Sequence, residues 1–404
     1  MTILLRLALA LLSVAAACSA TRCPQRCLCV APNHVVCTAL SLTEIPADTP
    51  PTTEQLDLNG NLITRLRTDA FANLPNLKSI NLQNNRISVI EPYAFRGLRD
   101  IESLHLQQNP LTSLAAHALG GIRNAGFIDL GHNAIASVEA YAFAATSNVD
   151  TISLSYNPLT TLRAHAFDGL HHVTQLTLAG TSLQTIEPDA FHNLSRVGEL
   201  LIMRAPLKRI PSFAFRGLRE VGVLRISGAR VETIEAGAFA GAEDIGRIDI
   251  ANVGISDIAP GAFDGVRNVG DLNLADNDLV TLRQGALDGL NGEVKRLHFG
   301  STRFVCDCRM RWLLAYNASA RLDPDHLAQV TCSLPEQYRG QPIAHVDFRA
   351  QSCPPVDVPP VENMPYIRGK EHNDGNAGVA RSISSFAILL LVGLHLIFEC
   401  LVAF

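Results

Sequence analysis

Cysteine and histidine are the residue types in this chain with most chemistry to offer, and their positions decide which chemistry. Of ten cysteines, Cys18 and Cys400 lie in apolar runs near the chain ends. Of the others, Cys23, Cys27, Cys29 and Cys37 form one group and Cys306, Cys308, Cys332 and Cys353 a second. A cluster of this kind could hold zinc, but no histidine stands at ligand spacing beside the first group. In an oxidising compartment both groups read as paired disulfides. The histidines are scattered. His105, His132 and His298 fall on or beside expected strands, His117 and His165 precede Ala-Leu or Ala-Phe steps, and His171-His172 sits in a connecting loop. No pair of them has the spacing of a ligand set with a supporting carboxylate, so neither metal nor cofactor is expected. The chain also lacks a Gly-x-Ser-x-Gly elbow, a His-Glu-x-x-His helix and a phosphate-binding glycine loop, which argues against an enzyme. With a net charge of −5 and no basic run, nothing calls for a nucleic-acid partner. The remaining chemistry is modification: Asn193-Leu194-Ser195 and Asn317-Ala318-Ser319 are glycosylation acceptors if exposed in the secretory route.

The elements that must position these residues follow from one spacing. Over residues 54–300 an aliphatic residue recurs every 24 positions, ten times, from Leu56 and Ile80 through Ile248 and Leu272. A second aliphatic residue follows two positions later, as in Leu56-Asp57-Leu58, so the apolar pair points inward and residues 55, 57 and 59 point to the other face of a short strand. A phenylalanine column runs through Phe71, Phe95, Phe143, Phe167, Phe191, Phe215, Phe239 and Phe263, with Leu119 and Leu287 as substitutes. Each unit is too small to bury its own apolar face, and stacking the units merges those faces into one core.

The pattern Leu-x-Leu-x-x-Asn-x-Ile-x-x-Leu-x-x-x-x-Phe resembles the extracellular, typical class of leucine-rich repeat proteins. That resemblance implies an α/β solenoid: parallel strands on the concave face, an irregular or short-helical convex side, and disulfide-stapled caps. By the same resemblance residues 21–53 form an N-terminal cap with Cys23 paired to Cys29 and Cys27 to Cys37. Residues 301–353 form a C-terminal cap with Cys306 paired to Cys332 and Cys308 to Cys353. Thr302-Arg303 departs from the family, which usually has Asn-Pro before the phenylalanine.

Within the repeats, Asn61, Asn85, Asn109, Asn133 and Asn157 form a ladder in the loop leaving each strand. A carboxamide has two donors and an acceptor, enough to satisfy buried backbone groups of its own turn and the next. The ladder breaks at Thr181, Ala205, Ala229 and Val253 and returns at Asn277, so a different turn geometry or ordered water is expected between. The outward strand positions change over the same stretch. They are small or polar in early repeats and become Glu199, Leu201, Met203, Val223, Arg225, Arg247 and Asp249, with Arg204 just beyond. These residues are expected to form an apolar patch rimmed by charge, which is the form of a protein interface. Phe127 and Tyr156 are expected to extend it.

The ends suggest a location. Arg6, an apolar run over 7–17 and small residues at Cys18-Ser19-Ala20 read as a signal peptide over 1–20. Residues 354–376, rich in proline and polar residues, read as a stalk. Small residues around Asn373-Asp374-Gly375-Asn376, a polar spacer and an apolar tail make 377–404 a glycosylphosphatidylinositol attachment signal, with Asn373, Gly375 or Asn376 as the attachment residue. The alternative is a single type I membrane span, which His395 and Glu399 would make costly. The layout is similar to connectin-like adhesion proteins and Nogo-receptor-like co-receptors. It implies a glycoprotein on the outer leaflet that binds a protein on another cell, homophilically or heterophilically. The alternatives are a lipid-anchored co-receptor that captures a secreted ligand and signals through a transmembrane partner, and a shed matrix or innate-recognition protein.

Overall fold

The computed structural model describes residues 23–290, 293–314 and 328–351. The expected signal peptide, stalk and lipid-attachment signal, together with Asn317, Cys353, Asn373, Gly375 and Asn376, lie outside them. Among the described residues no helix is long and apolar enough to cross a membrane.

The protein is a parallel β-solenoid built on a thirteen-stranded sheet. The constant spacing sets the register, because a parallel neighbour 24 residues away presents the same column of the repeat. Leu56 lies beside Ile80, Ile80 beside Leu104, and the series continues to Ile248 beside Leu272. The last step, Leu272 to Leu297, is one residue longer. The connecting halves add short two-residue strands, such as Arg65–Leu66 against Val89–Ile90 and Thr161–Leu162 against Thr185–Ile186. The convex side is therefore irregular, with turns and short strands; 3-10 turns first occur at Cys308–Met310, beyond the repeats.

The core is continuous from Val35 to Phe348. Its outer layer is the phenylalanine column, whose rings stack at 5.2–5.6 Å wherever two follow one another, as in Phe167 on Phe191 and Phe215 on Phe239. Where Leu119 interrupts the column the site is equally buried.

Both ends of the core are closed. The hairpin Leu28–Ala31 and His34–Val36 pairs along Gln55–Asp57, and disulfides join Cys23 to Cys29 and Cys27 to Cys37. At the other end Phe304 stands edge-on to Phe299, the Trp312 indole donates to the Leu282 carbonyl at 2.9 Å, and Cys306 is bonded to Cys332. Cys308 is also disulfide-bonded. Thr302, at the family's asparagine position, is buried and closes the last turn by donating its hydroxyl to the Phe299 carbonyl at 2.5 Å.

The asparagine ladder does the work its chemistry allows. Asn157 Nδ2 donates to the carbonyls of Leu130 and Leu154, both at 2.9 Å, while its Oδ1 accepts from the Ile135 amide at 3.0 Å. Asn85, Asn109 and Asn277 repeat this arrangement between their own neighbours. Removing the carboxamide by Asn157→Ala leaves two carbonyls and an amide without partners. Buried polar groups left unsatisfied cost about 1–3 kcal/mol, so the variant should lose at least that much in chemical denaturation. An unchanged midpoint would show the ladder to be dispensable.

Candidate protein-binding face of the large sheet

Over part of the stretch where the ladder breaks, the sheet strands are longer. The strands Ser195–Met203 and Arg219–Ser227 run for nine residues against seven in their neighbours, adding the pairs Ile202 with Ile226 and Met203 with Ser227. The Arg204 amide then donates to the Ser227 carbonyl at 2.8 Å. Ala205 and Val253 are buried in the vacated positions, and Thr181 keeps one ladder bond, from its hydroxyl to the Leu178 carbonyl. The longer strand carries Met203 as a strand residue on the outer face.

Parallel register lines the outward residues into rows. One runs Gln175, Glu199, Val223, Arg247 and Asp271, and the next Thr177, Leu201, Arg225, Asp249 and Asn273. The eight expected patch residues do come together on adjacent strands. Their character differs from the expectation, however. Leu201 is only 7% exposed and stands between Thr177 and Arg225 in register. Met203 and Val223 are half-buried, and Arg204 is exposed. Phe127 shares the Glu199 row but is separated from it by Thr151 and Gln175, so it does not extend the patch. Tyr156, half exposed, stacks on His132 at 4.6 Å. Its ring lies where a Cβ at Gly180 would come within 2.8 Å, so a glycine there is what lets the ring lie down.

The charges are mutually engaged. Glu199 accepts from Gln175 at 2.8 Å, Arg225 reaches Asp249 at 3.1 Å, and Arg247 lies 3.6 Å from the same carboxylate. Asp249 also accepts from Asn273 at 2.8 Å. Farther along, Asp271 is held by both arms of Arg296 at 2.5 and 2.7 Å and by His298 at 3.4 Å. The Arg296 bonds, then the His298 bond, hold the Asp271 carboxyl below the ordinary carboxylate range against the opposing effect of burial. The face is therefore a ladder of ion pairs with half-buried Val223 and Met203 on either side of the Leu201–Arg225 row.

The glycosylation residue Asn193 is exposed and precedes the strand Ser195–Met203. Its carboxamide turns toward Asp168 in the connecting half of the previous repeat, away from these rows. That connecting half also holds what linear spacing concealed: His165, Asp168 and His192 converge.

Such a repeat coil with a patterned sheet face defines a solenoid of stacked 24-residue units. The leucine rich repeat model matches residues 51–111 and 123–183, and the BspA type leucine rich repeat region model matches 185–302. The chain belongs to the leucine-rich repeat family. The first model spans Asn61 to Asn157 and the break at Thr181, and the second spans Ala205, Ala229, Val253 and Asn277. Among curated relatives, human chondroadherin-like protein is 43% identical over 72 residues, 18% of this chain and 9% of the relative. Decorin of Coturnix japonica is 47% identical over 55 residues, covering 14% and 15%. The nogo receptor-interacting protein 1 of Gallus gallus, with leucine-rich repeat and immunoglobulin-like domains, is 44% identical over 61 residues, covering 15% and 10%. The matched stretches are thus 9–15% of those relatives' lengths. Among solved structures, human 5T4 aligns over 82% of this chain and 98% of its own at 21% identity and TM-score 0.36. A chain of the octameric Latrophilin 3, Unc5D and FLRT2 complex aligns over 82% and 100% at 21% and 0.45.

The lowered Asp271 carboxyl makes a pH prediction. A carboxyl that titrates lower when folded is protonated first in the unfolded chain, so its stabilisation is present above the ordinary value of 3.8 and is lost as pH falls through the lowered value. Thermal melts should therefore show Asp271→Asn less stable than the parent at pH 7, with the gap narrowing below pH 3.8. A gap independent of pH would assign the loss to packing instead.

Proposed function

We propose that this chain is a cell-surface adhesion protein that binds another protein through the sheet face between Ser195–Met203 and Glu243–Asp249. The carrying observation is the change of that face at the two lengthened strands. There half-buried Val223 stands in register between Glu199 and Arg247, Arg225 between Leu201 and Asp249, and half-buried Met203 beside Ser227, with exposed Arg204 at the rim. An apolar centre with a charged rim is how protein interfaces are built, and desolvated centre residues carry most of the binding energy. A glycan on Asn193 would leave these rows open, since that side chain faces the connecting half. The ion pairs within the face supply alternating charge, which favours a partner of complementary pattern and sets register more than affinity.

In this reading residues 1–20 direct the chain to the secretory route, and a lipid at Asn373, Gly375 or Asn376 holds it on the outer leaflet. Both rest on residue types in segments outside the described structure. The similarity to the nogo receptor-interacting protein supports protein binding as the class of activity.

Expression of the full chain on suspended cells should cause them to cluster, or to bind cells bearing the partner. Met203→Glu with Arg247→Glu should reduce that binding at least tenfold with folding intact, a loss of about 1.4 kcal/mol. Undiminished binding by the double variant would remove the face from the proposal. Capture of a soluble ligand by the variant-sensitive face without clustering would instead make the protein a co-receptor. Separately, a phospholipase specific for phosphatidylinositol should release the chain from the cells; retention would favour a membrane-spanning tail.

A further inference from the structure

His165, Asp168 and His192 lie in the connecting halves of two successive repeats and play no part in the sheet face. Asp168 Oδ2 is the focus: His165 Nδ1 is 3.2 Å from it and His192 Nδ1 is 3.4 Å from it. All three atoms lie within 4.8 Å of one another. The other carboxylate oxygen, Oδ1, accepts from Asn193 Nδ2 at 3.0 Å, which fixes the plane of the carboxylate. Asp168 is 12% exposed at its side chain, whereas His165 and His192 are 36% and 42% exposed, so the cluster has a buried anchor and an open mouth.

The backbone holds the two rings there. His165 is left-handed, with φ of 60°, and so are the residues one repeat before and after it, Tyr141 and Asp189. Bulky residues seldom adopt this conformation, and here a ladder from turn to turn imposes it. The Tyr141 amide donates to the His165 carbonyl at 3.1 Å and the His165 amide to the Asp189 carbonyl at 3.0 Å. Tyr141 stacks on the His165 ring at 6.1 Å, and the His192 amide donates to the Asp189 carbonyl at 3.0 Å. Asp189 itself is held by Arg216, which bonds both of its carboxylate oxygens.

Ligand geometry selects the occupant. Zinc bonds of about 2.0–2.2 Å to nitrogen and oxygen, arranged tetrahedrally, place neighbouring ligand atoms about 3.3–3.5 Å apart. Both nitrogen-to-oxygen separations in the cluster are already close to that value, so only the two nitrogens have to draw together. Calcium and magnesium are poor candidates because they take six or more oxygen ligands. Two imidazoles and one carboxylate form a ligand set suited to zinc, with the fourth position open to solvent, and the Asn193 bond to the carboxylate is the kind of outer contact that orients such ligands.

We propose that His165, Asp168 and His192 bind Zn²⁺ through His165 Nδ1, Asp168 Oδ2 and His192 Nδ1. Calorimetric titration of the purified full chain with zinc chloride should show one ion bound at this cluster, weakened at least tenfold by His165→Gln or His192→Gln. His132→Gln and His172→Gln, outside the cluster, should leave that binding unchanged. A measurement on the unaltered protein stands beside the variants: zinc should protect His165 and His192 from diethyl pyrocarbonate, mapped by mass spectrometry, while His132 and His172 remain reactive. Equal titration curves for the parent and both cluster variants, or full reactivity of His165 and His192 at saturating zinc, would overturn the site and leave the cluster as a hydrogen-bonded network only.

Discussion

The structure depends on satisfying the backbone of turns that are buried without being helix or sheet. A repeat coil makes such turns at every step, and each exposes amides and carbonyls to an apolar core where they cannot meet water. The carboxamides of Asn61, Asn85, Asn109, Asn133, Asn157 and Asn277 answer this by bridging their own turn to the one before. Where Ala205 and Ala229 replace them, the strands Ser195–Met203 and Arg219–Ser227 are two residues longer than their neighbours, and at Val253 the amide donates to Asn277 Oδ1 of the next repeat. The change of strand length has a surface consequence. The longer strands hold more outward side chains in fixed rows, and the apolar centre of the sheet face lies on them.

The same constraint explains what could be read from the sequence. Inward columns were legible because burial and periodicity coincide: every phenylalanine of the 24-residue column is in the core. Charge partners were legible in principle, since Arg225 and Asp249 stand one repeat apart, yet the pairing had to be read across repeats and not along the strand. Reading along the strand suggested an exposed Leu201, whereas in the sheet, between Thr177 and Arg225, it is buried. The histidine cluster escaped for the same reason. His165 and Asp168 share one turn, and His192 stands one repeat beyond Asp168, so the three are adjacent only once the chain is folded on its period. A ligand set spread over successive coils has no short motif. It has a short spacing only within the repeat.

Because each repeat touches mainly its neighbours, features on different sides of the coil are coupled weakly except through shared strands. The sheet rows and the connecting-half cluster share the repeats around Ser195–Met203, but they face different directions and use different residues. Asn193 is the point where they approach one another: its carboxamide orients Asp168, and two residues later the strand Ser195–Met203 begins. A sugar on Nδ2 would occupy the atom that now holds the carboxylate, although an N-linked amide keeps one hydrogen to donate. Modification at that residue would therefore be felt first at the cluster, through the orientation of Asp168, and would reach the sheet face only through the start of one strand. The coil in this way carries the sheet rows and the histidine cluster on different sides while sharing a single core.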